Sequence, residues 1–157
     1  MKSWRGKVAV LKTRPETVVE DYARLMQMAG FQDILSPDRV TILKNNISWH
    51  TWYPACSTTP WQYEGVIKAL LDAGHPRENV IPAYNRTVVV DDKVGMVNNK
   101  FTVVEEKYGL GRIHLYEPPI EWNPACTRMV IESVRALLQA SMARLRQARR
   151  AEPNCES

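Results

Sequence analysis

Cysteine is sparse in this chain. Its three copies, Cys56, Cys126 and Cys155, form no Cys-x-x-Cys pair, which removes the zinc ribbon, the zinc finger and the ferredoxin-type cluster from consideration and leaves no metal site to expect. An odd, scattered set suits a reducing compartment. Long apolar runs are missing as well. None approaches the ~20 residues of a membrane-spanning helix, and residues 1–15 lack the apolar stretch, roughly 7 to 15 residues long, of a secretory signal. The expected setting is cytoplasmic, with no membrane partner. A dominant charge is also lacking. Residues 1–124 carry 15 Lys and Arg against 14 Asp and Glu, and residues 125–157 carry six Arg against three Glu, so most of the formal net charge of +4 sits in the tail. A near-neutral body has no field to steer it onto nucleic acid. Nucleic acid is therefore not the expected partner, and any attraction to a polyanion falls to the tail.

What is present suffices for one core. A chain of 157 residues buries roughly 70% of its unfolded surface, and 45% apolar with 24% charged residues is ordinary for a folded protein. No internal repeat or low-complexity segment interrupts it. Val8-Ala9-Val10-Leu11 reads as a strand buried on both faces. Pro15 and Glu16 open a helical pattern through Val18, Val19, Tyr22, Leu25, Met26 and Ala29, with Thr13 and Glu16 as a capping box and Gly30 as the stop. Residues 39–43 form a second strand, parallel to the first across this helix. Thr59, Pro60 and Gln62 open the next helix as N-cap, N1 and N3, and it runs through Val66, Ile67, Leu70 and Leu71 to Gly74. Residues 79–81 and, better, the β-branched run 87–90 read as strand, followed by a polar turn from Asp91. A short helix capped by Asn98 or Asn99 carries Phe101, Val104 and Tyr108 and stops at Gly109, and residues 112–116 form a last strand.

Beyond Pro124, residues 127–150 place Val130, Val134, Leu137, Leu138 and Leu145 on one helical face, with arginines supplying the charge. The expected fold is thus α/β: a small three-layer sandwich with a mostly parallel sheet of about four strands, plus a long C-terminal helix. The expected domains are 1–124 and 125–157. The C-terminal helix has three readings: docking on the body, self-association, or a basic surface for nucleic acid.

The most unusual stretch is residues 45–59, which joins a strand's carboxyl end to a helix N-terminus. Ligands of open α/β sheets sit outside the carboxyl ends of the strands, and a helix N-terminus offers unpaired N–H groups to an anion. Lys44, Asn45, Asn46, Ser57, Thr58 and Thr59 add a positive charge, amides and hydroxyls. They are the expected ligand-binding set for a small phosphate or carboxylate. The competing account is that Thr59 only caps the helix and the other hydroxyls are solvated. Trp49, Trp52, Tyr53 and Trp61 either stack on a planar ligand or pack the loop. His50 and Cys56 are reserve acid/base or redox groups, against which stand a partnerless histidine and an inert thiol. Asp91 and Asp92 follow a strand where carboxylates can hold Mg²⁺, although adjacent acids in a turn are commonly solvated. Gly109-Leu110-Gly111 precedes a strand, the wrong side for a dinucleotide fingerprint.

Leu43-Lys44-Asn45-Asn46, then Ser57-Thr58-Thr59-Pro60-Trp61-Gln62, then residues 65–74 up to Gly74 resemble the domain-of-unknown-function family numbered 362. Asn85-Arg86-Thr87, Asn98-Asn99-Lys100 and His114-Leu115-Tyr116-Glu117 look like one branch of it. The resemblance spans about residues 6–122. It implies an α/β fold with a Lys-x-Asn strand end, a Thr-Thr-Pro helix start and no established activity, so enzyme status, reaction and cofactor stay open. Some members carry iron–sulfur modules, which nothing in this chain's cysteines matches. The Arg-rich tail departs from the family, as in a truncated or frame-altered homologue. Binding of a small anion is the leading expectation. The rival is a non-catalytic homologue whose C-terminal helix mediates self-association.

Overall fold

The first helix forms where its apolar spacing places it, over Val18–Ala29 (α1), in a computed structural model that describes residues 8–53 and 55–121. Gly30 ends it in the left-handed conformation at φ 75°, which glycine adopts without steric cost. Its start differs from the expected capping box. Thr17 is the N-cap and makes no side-chain cap bond; instead the Thr13 and Thr17 hydroxyls donate to Asp21 Oδ2 at 2.9 and 2.6 Å.

The second helix, α2, covers Pro60–Asp72 and crosses α1 closely at Gly65. A Cβ there would stand 2.5 Å from Tyr22 Cβ and 2.6 Å from the Val19 carbonyl oxygen. Only glycine permits that approach.

The strands are β1 at Thr41–Lys44, between α1 and α2, and β2 at Val80–Tyr84 and β3 at Ile113–His114, after α2. They form one parallel sheet in the order β1-β2-β3. The register pairs Thr41 with Val80, Lys44 with Ala83, and Tyr84 with His114. The class is α/β with a small parallel sheet, but it has three strands among the described residues, where about four were expected. Val8-Ala9-Val10-Leu11 joins no strand: Val8 and Val10 are 86% and 80% exposed, and Leu11 lies beside Tyr22 and Leu25 of α1. The run at 87–90 is a turn. The Thr87 N–H donates to the Val90 carbonyl and the Val90 N–H to Thr87 Oγ1, with Val88 fully exposed. β2 takes the central place instead, with Pro82 inside it. The last strand is also shorter than the expected 112–116.

Asp91 opens a helix in place of the expected polar turn. This helix, α3, spans Asp92–Asn98, and Asp91 Oδ1 accepts from the Val94 N–H at 3.1 Å. The next, α4, spans Phe101–Tyr108 and ends at Gly109 as expected. Its N-cap is Lys100, in the left-handed conformation, and Asn98 and Asn99 bond elsewhere.

The core joins Ala23 of α1, Tyr63, Ile67 and Leu70 of α2, Val80 and Tyr84 of β2, Met96 of α3, and Phe101 and Val104 of α4. Phe101 meets Tyr63 edge-on at 5.4 Å and stacks near Tyr84 at 6.3 Å. Each large apolar side chain buried here stabilises the fold by about 1.5–3 kcal/mol. The other pleat face of β1 is open, with Ile42 58% exposed. The chain divides into two compact units, Met1–Glu117, which holds every element above, and Pro118–Ser157. The expected helix over 127–150, with its docking, self-association and nucleic-acid readings, lies outside the described residues, as do Cys126 and Cys155. No described helix is long and apolar enough to cross a membrane.

Candidate functional site

The loop after β1 brings three of the six expected binding residues, Lys44, Asn45 and Thr58, to one cavity, which Asn46, Ser57 and Thr59 do not line. Lys44, Asn45, Thr58 and Gln62 line one cavity of about 230 Å³, with Ile42, Leu43, Tyr63 and Val66 as its apolar part. That volume suits a small anion and a few waters better than a drug-sized ligand. The loop is closed on itself. The Thr58 N–H donates to the Asn46 carbonyl at 2.9 Å, and the Asn46 N–H donates to Thr58 Oγ1 at 3.0 Å. Asn46 Nδ2 donates to Ser48 Oγ at 2.8 Å. Lys44 Nζ donates to the Asn45 carbonyl at 2.7 Å, and partial burial holds its ammonium below the usual lysine range, an effect Asp92 partly offsets.

The N-terminus of α2 is uncapped. Thr59 occupies the N-cap position in extended backbone, yet its side chain makes no cap bond. Thr59 Oγ1 and Ser57 Oγ are both buried without a hydrogen-bond partner. The expected capping box with Gln62 is therefore not formed, and neither is the arrangement in which Thr59 merely caps and the other hydroxyls are solvated. Pro60 at N1 has no N–H to satisfy. Among the described residues the N–H groups of Trp61 and Gln62 donate to nothing, so two donors remain for an external acceptor.

The reserve groups stand apart from this cavity. His50 stacks on Trp49 at 5.0 Å and leaves Nδ1 buried without a partner. Its backbone carbonyl accepts from Asn98 Nδ2 at 2.8 Å. Asn99 Nδ2 donates to the Gly95 carbonyl at 2.8 Å and reaches the Trp49 carbonyl at 3.4 Å. Gly95 admits Ile47 against α3, since a Cβ there would lie 2.6 Å from Ile47 Cγ2. Cys56 is a half-buried free thiol. Trp49, Trp52, Tyr53 and Trp61 are 42–67% exposed, so their rings are only in part loop packing. Neither His50 nor Cys56 lines the cavity.

A second set of polar side chains escaped the sequence. At the carboxyl end of β2, Tyr84 Oη donates a short hydrogen bond to Glu105 Oε1 and accepts from Asn45 Nδ2 at 3.2 Å. Tyr63 Oη donates to the same Glu105 oxygen at 3.0 Å. Glu105 is fully buried, and Arg112 Nε stands 2.9 Å from its Oε2, an ion pair outside hydrogen-bond alignment. Burial, reinforced by Glu105, pushes both phenols far above the ordinary tyrosine value, so both donate to the Glu105 carboxylate as protonated hydroxyls. At the end of β3, His114 Nδ1 lies 2.7 Å from Asp92 Oδ2, and Tyr116 Oη donates to Asp92 Oδ1 at 2.8 Å. Burial first, then Asp92, pushes the Tyr116 phenol up to about 12. Asp91 and Asp92 thus do not act as the solvated pair the sequence allowed: one caps α3 and the other is buried. Among the described residues no cluster of His, Cys, Asp or Glu could hold a metal ion.

A larger hollow of about 520 Å³ touches Arg77, Glu78, Val80, Ile113 and Arg112. It adjoins the amino ends of β2 and β3, opposite to where parallel sheets bind ligands. Compared with known proteins, the chain matches no family model, no curated protein and no solved structure.

Proposed function

We propose that this protein binds a small anion, a phosphate or a carboxylate, in the cavity between the end of β1 and the first turn of α2. The observation that carries the proposal is the uncapped helix start. The Ser57 and Thr59 hydroxyls and the Trp61 and Gln62 N–H groups lack partners on the segment from which Thr58 and Gln62 line the cavity, opposite Lys44 and Asn45 of the β1 end. Buried polar groups in native proteins are paired in the great majority of cases, and the two unpaired buried hydroxyls, Ser57 Oγ and Thr59 Oγ1, call for a ligand or water. The positive end of the helix dipole and the Lys44 ammonium select the sign of that ligand. The Asn46 backbone closes the loop on Thr58 and the Asn45 side chain ties it to β2, so these two residues hold the frame, and Thr58 is the hydroxyl residue that lines the cavity.

The proposal takes the cytoplasm as its setting. The resemblance to family 362 agrees with it in the Lys-x-Asn and Thr-Thr-Pro segments and adds no ligand. Thermal unfolding of the full chain with phosphate, sulfate and small carboxylates tests it. A ligand at 100 times its Kd adds about 2.7 kcal/mol of stability, a rise in Tm of several degrees at this chain length. Lys44→Met should abolish most of that rise. A transition that none of these anions moves would overturn the proposal.

A further inference from the structure

His114 ends β3, beside the carboxyl ends of the other two strands. Its Nδ1 lies 2.7 Å from Asp92 Oδ2. Asp92 is 1% exposed and is the first residue of α3, and its other oxygen accepts from Tyr116. Both carboxylate oxygens are thus occupied, which fixes the group in place. The imidazole is 12% exposed and stands 5.8 Å from each of the Tyr84 and Tyr116 rings. Among the described residues nothing bonds to its Nε2. A carboxylate only accepts hydrogen bonds, so in neutral His114 the proton sits on Nδ1 and the free lone pair on Nε2. The ring connects to the anion cavity through Tyr84: it stands beside the Tyr84 ring, the Tyr84 hydroxyl accepts from Asn45, and Asn45 lines the cavity, while Lys44 feels the Asp92 charge.

We infer that His114 is a general base and acid for an anionic substrate that carries a hydroxyl near its charged group, with Asp92 as the positioning residue. This rests on the anion-binding proposal for what holds the substrate. In the step, Nε2 takes the hydroxyl proton, an N–H bond forms, the O–H bond breaks, and its electron pair stays on the substrate oxygen. The imidazolium is then balanced by Asp92, and the same proton returns to the product. Lys93 pairs with Glu117 at 2.6 Å, so that neighbouring cation is already matched.

Imidazole ¹⁵N NMR of the full chain, with His114→Gln to assign the signals and inorganic phosphate as the probe, tests this. The neutral imidazole of wild-type His114 should carry its proton on Nδ1 and leave Nε2 bare. Saturating phosphate should shift the Nε2 signal over the same concentration range that raises Tm. Asp92→Asn, with its amide oxygen still facing Tyr116, would donate to Nδ1 and move the proton to Nε2, reversing the tautomer. A neutral wild-type imidazole with its proton on Nε2 overturns the inference, whether or not the Asp92 variant folds. So does an Nε2 signal that stays still while phosphate raises Tm. If phosphate neither raises Tm nor shifts any signal, the anion-binding proposal fails first, and the general-base role falls with it.

Discussion

Lys44 supplies the charge that an anion at the head of α2 would meet, and its environment sets when that charge is available. Burial lowers its pKa from the ordinary 10.5. The sign follows from linkage: the folded state binds the Lys44 proton less tightly than the unfolded chain does. The cost of keeping the ammonium charged is therefore present at neutral pH and is relieved as pH rises from the lowered value toward 10.5. Binding runs the other way, because the anion needs the ammonium. Affinity for phosphate should decline with rising pH earlier than an ordinary lysine would allow, and calorimetric titration of wild type against Lys44→Met should show the decline in the former only. Glu105 sets a different balance. Its carboxylate serves two phenols and one guanidinium while fully buried, so removing it strands three partners. Glu105→Leu should cost about 3–5 kcal/mol, and Tyr84→Phe about 1–3 kcal/mol by leaving Asn45 Nδ2 unpaired. Both would appear as a lower denaturation midpoint at unchanged m.

The helices place these residues, and their packing gives the next prediction. Gly65→Ala pushes a methyl to within 2.5 Å of Tyr22 Cβ and 2.6 Å of the Val19 carbonyl oxygen, where α1 meets α2. Backbone yields less readily than a flexible side chain, so the variant should lose about 1–3 kcal/mol or more, measured in the same denaturant experiment. The three longer helices were readable in advance because their signals are local: apolar residues at three- and four-residue spacing, with Gly30 and Gly109 at the ends of α1 and α4. Strands were harder. Val8-Ala9-Val10-Leu11 and the run at 87–90 have strand composition, but they are exposed or folded into a turn. The central strand begins inside the expected run 79–81, but its continuation to Tyr84 passes through Pro82, a residue that ordinarily argues against a central strand. Helix α3 was missed because Gly95 interrupts its pattern, and that glycine exists for Ile47.

Across the molecule, the polar side chains converge on one end of the sheet. Asn45 follows β1, Tyr84 and His114 end β2 and β3 there, and Asp92, Glu105, Tyr63 and Tyr116 reach the same place from the helices and from the residues after β3. The sequence exposed the loop half of this site, since Lys44, Asn45 and the Ser-Thr-Thr run lie beside a helix start. The other half depends on contacts between residues 21, 22 and 42 positions apart, which no local pattern encodes. The apolar interior beneath, led by Phe101, Ile67 and Leu70, is what holds these distant side chains in register. The most direct test of the account lies at the head of α2. Backbone amide NMR of the full chain during a phosphate titration would follow the unpaired N–H groups of Trp61 and Gln62. Anion binding predicts that both signals move together, saturably, and that Lys44→Met weakens the response by roughly tenfold or more, as expected when a charged hydrogen bond is lost. Signals of Trp61 and Gln62 that stay fixed at saturating phosphate would contradict it.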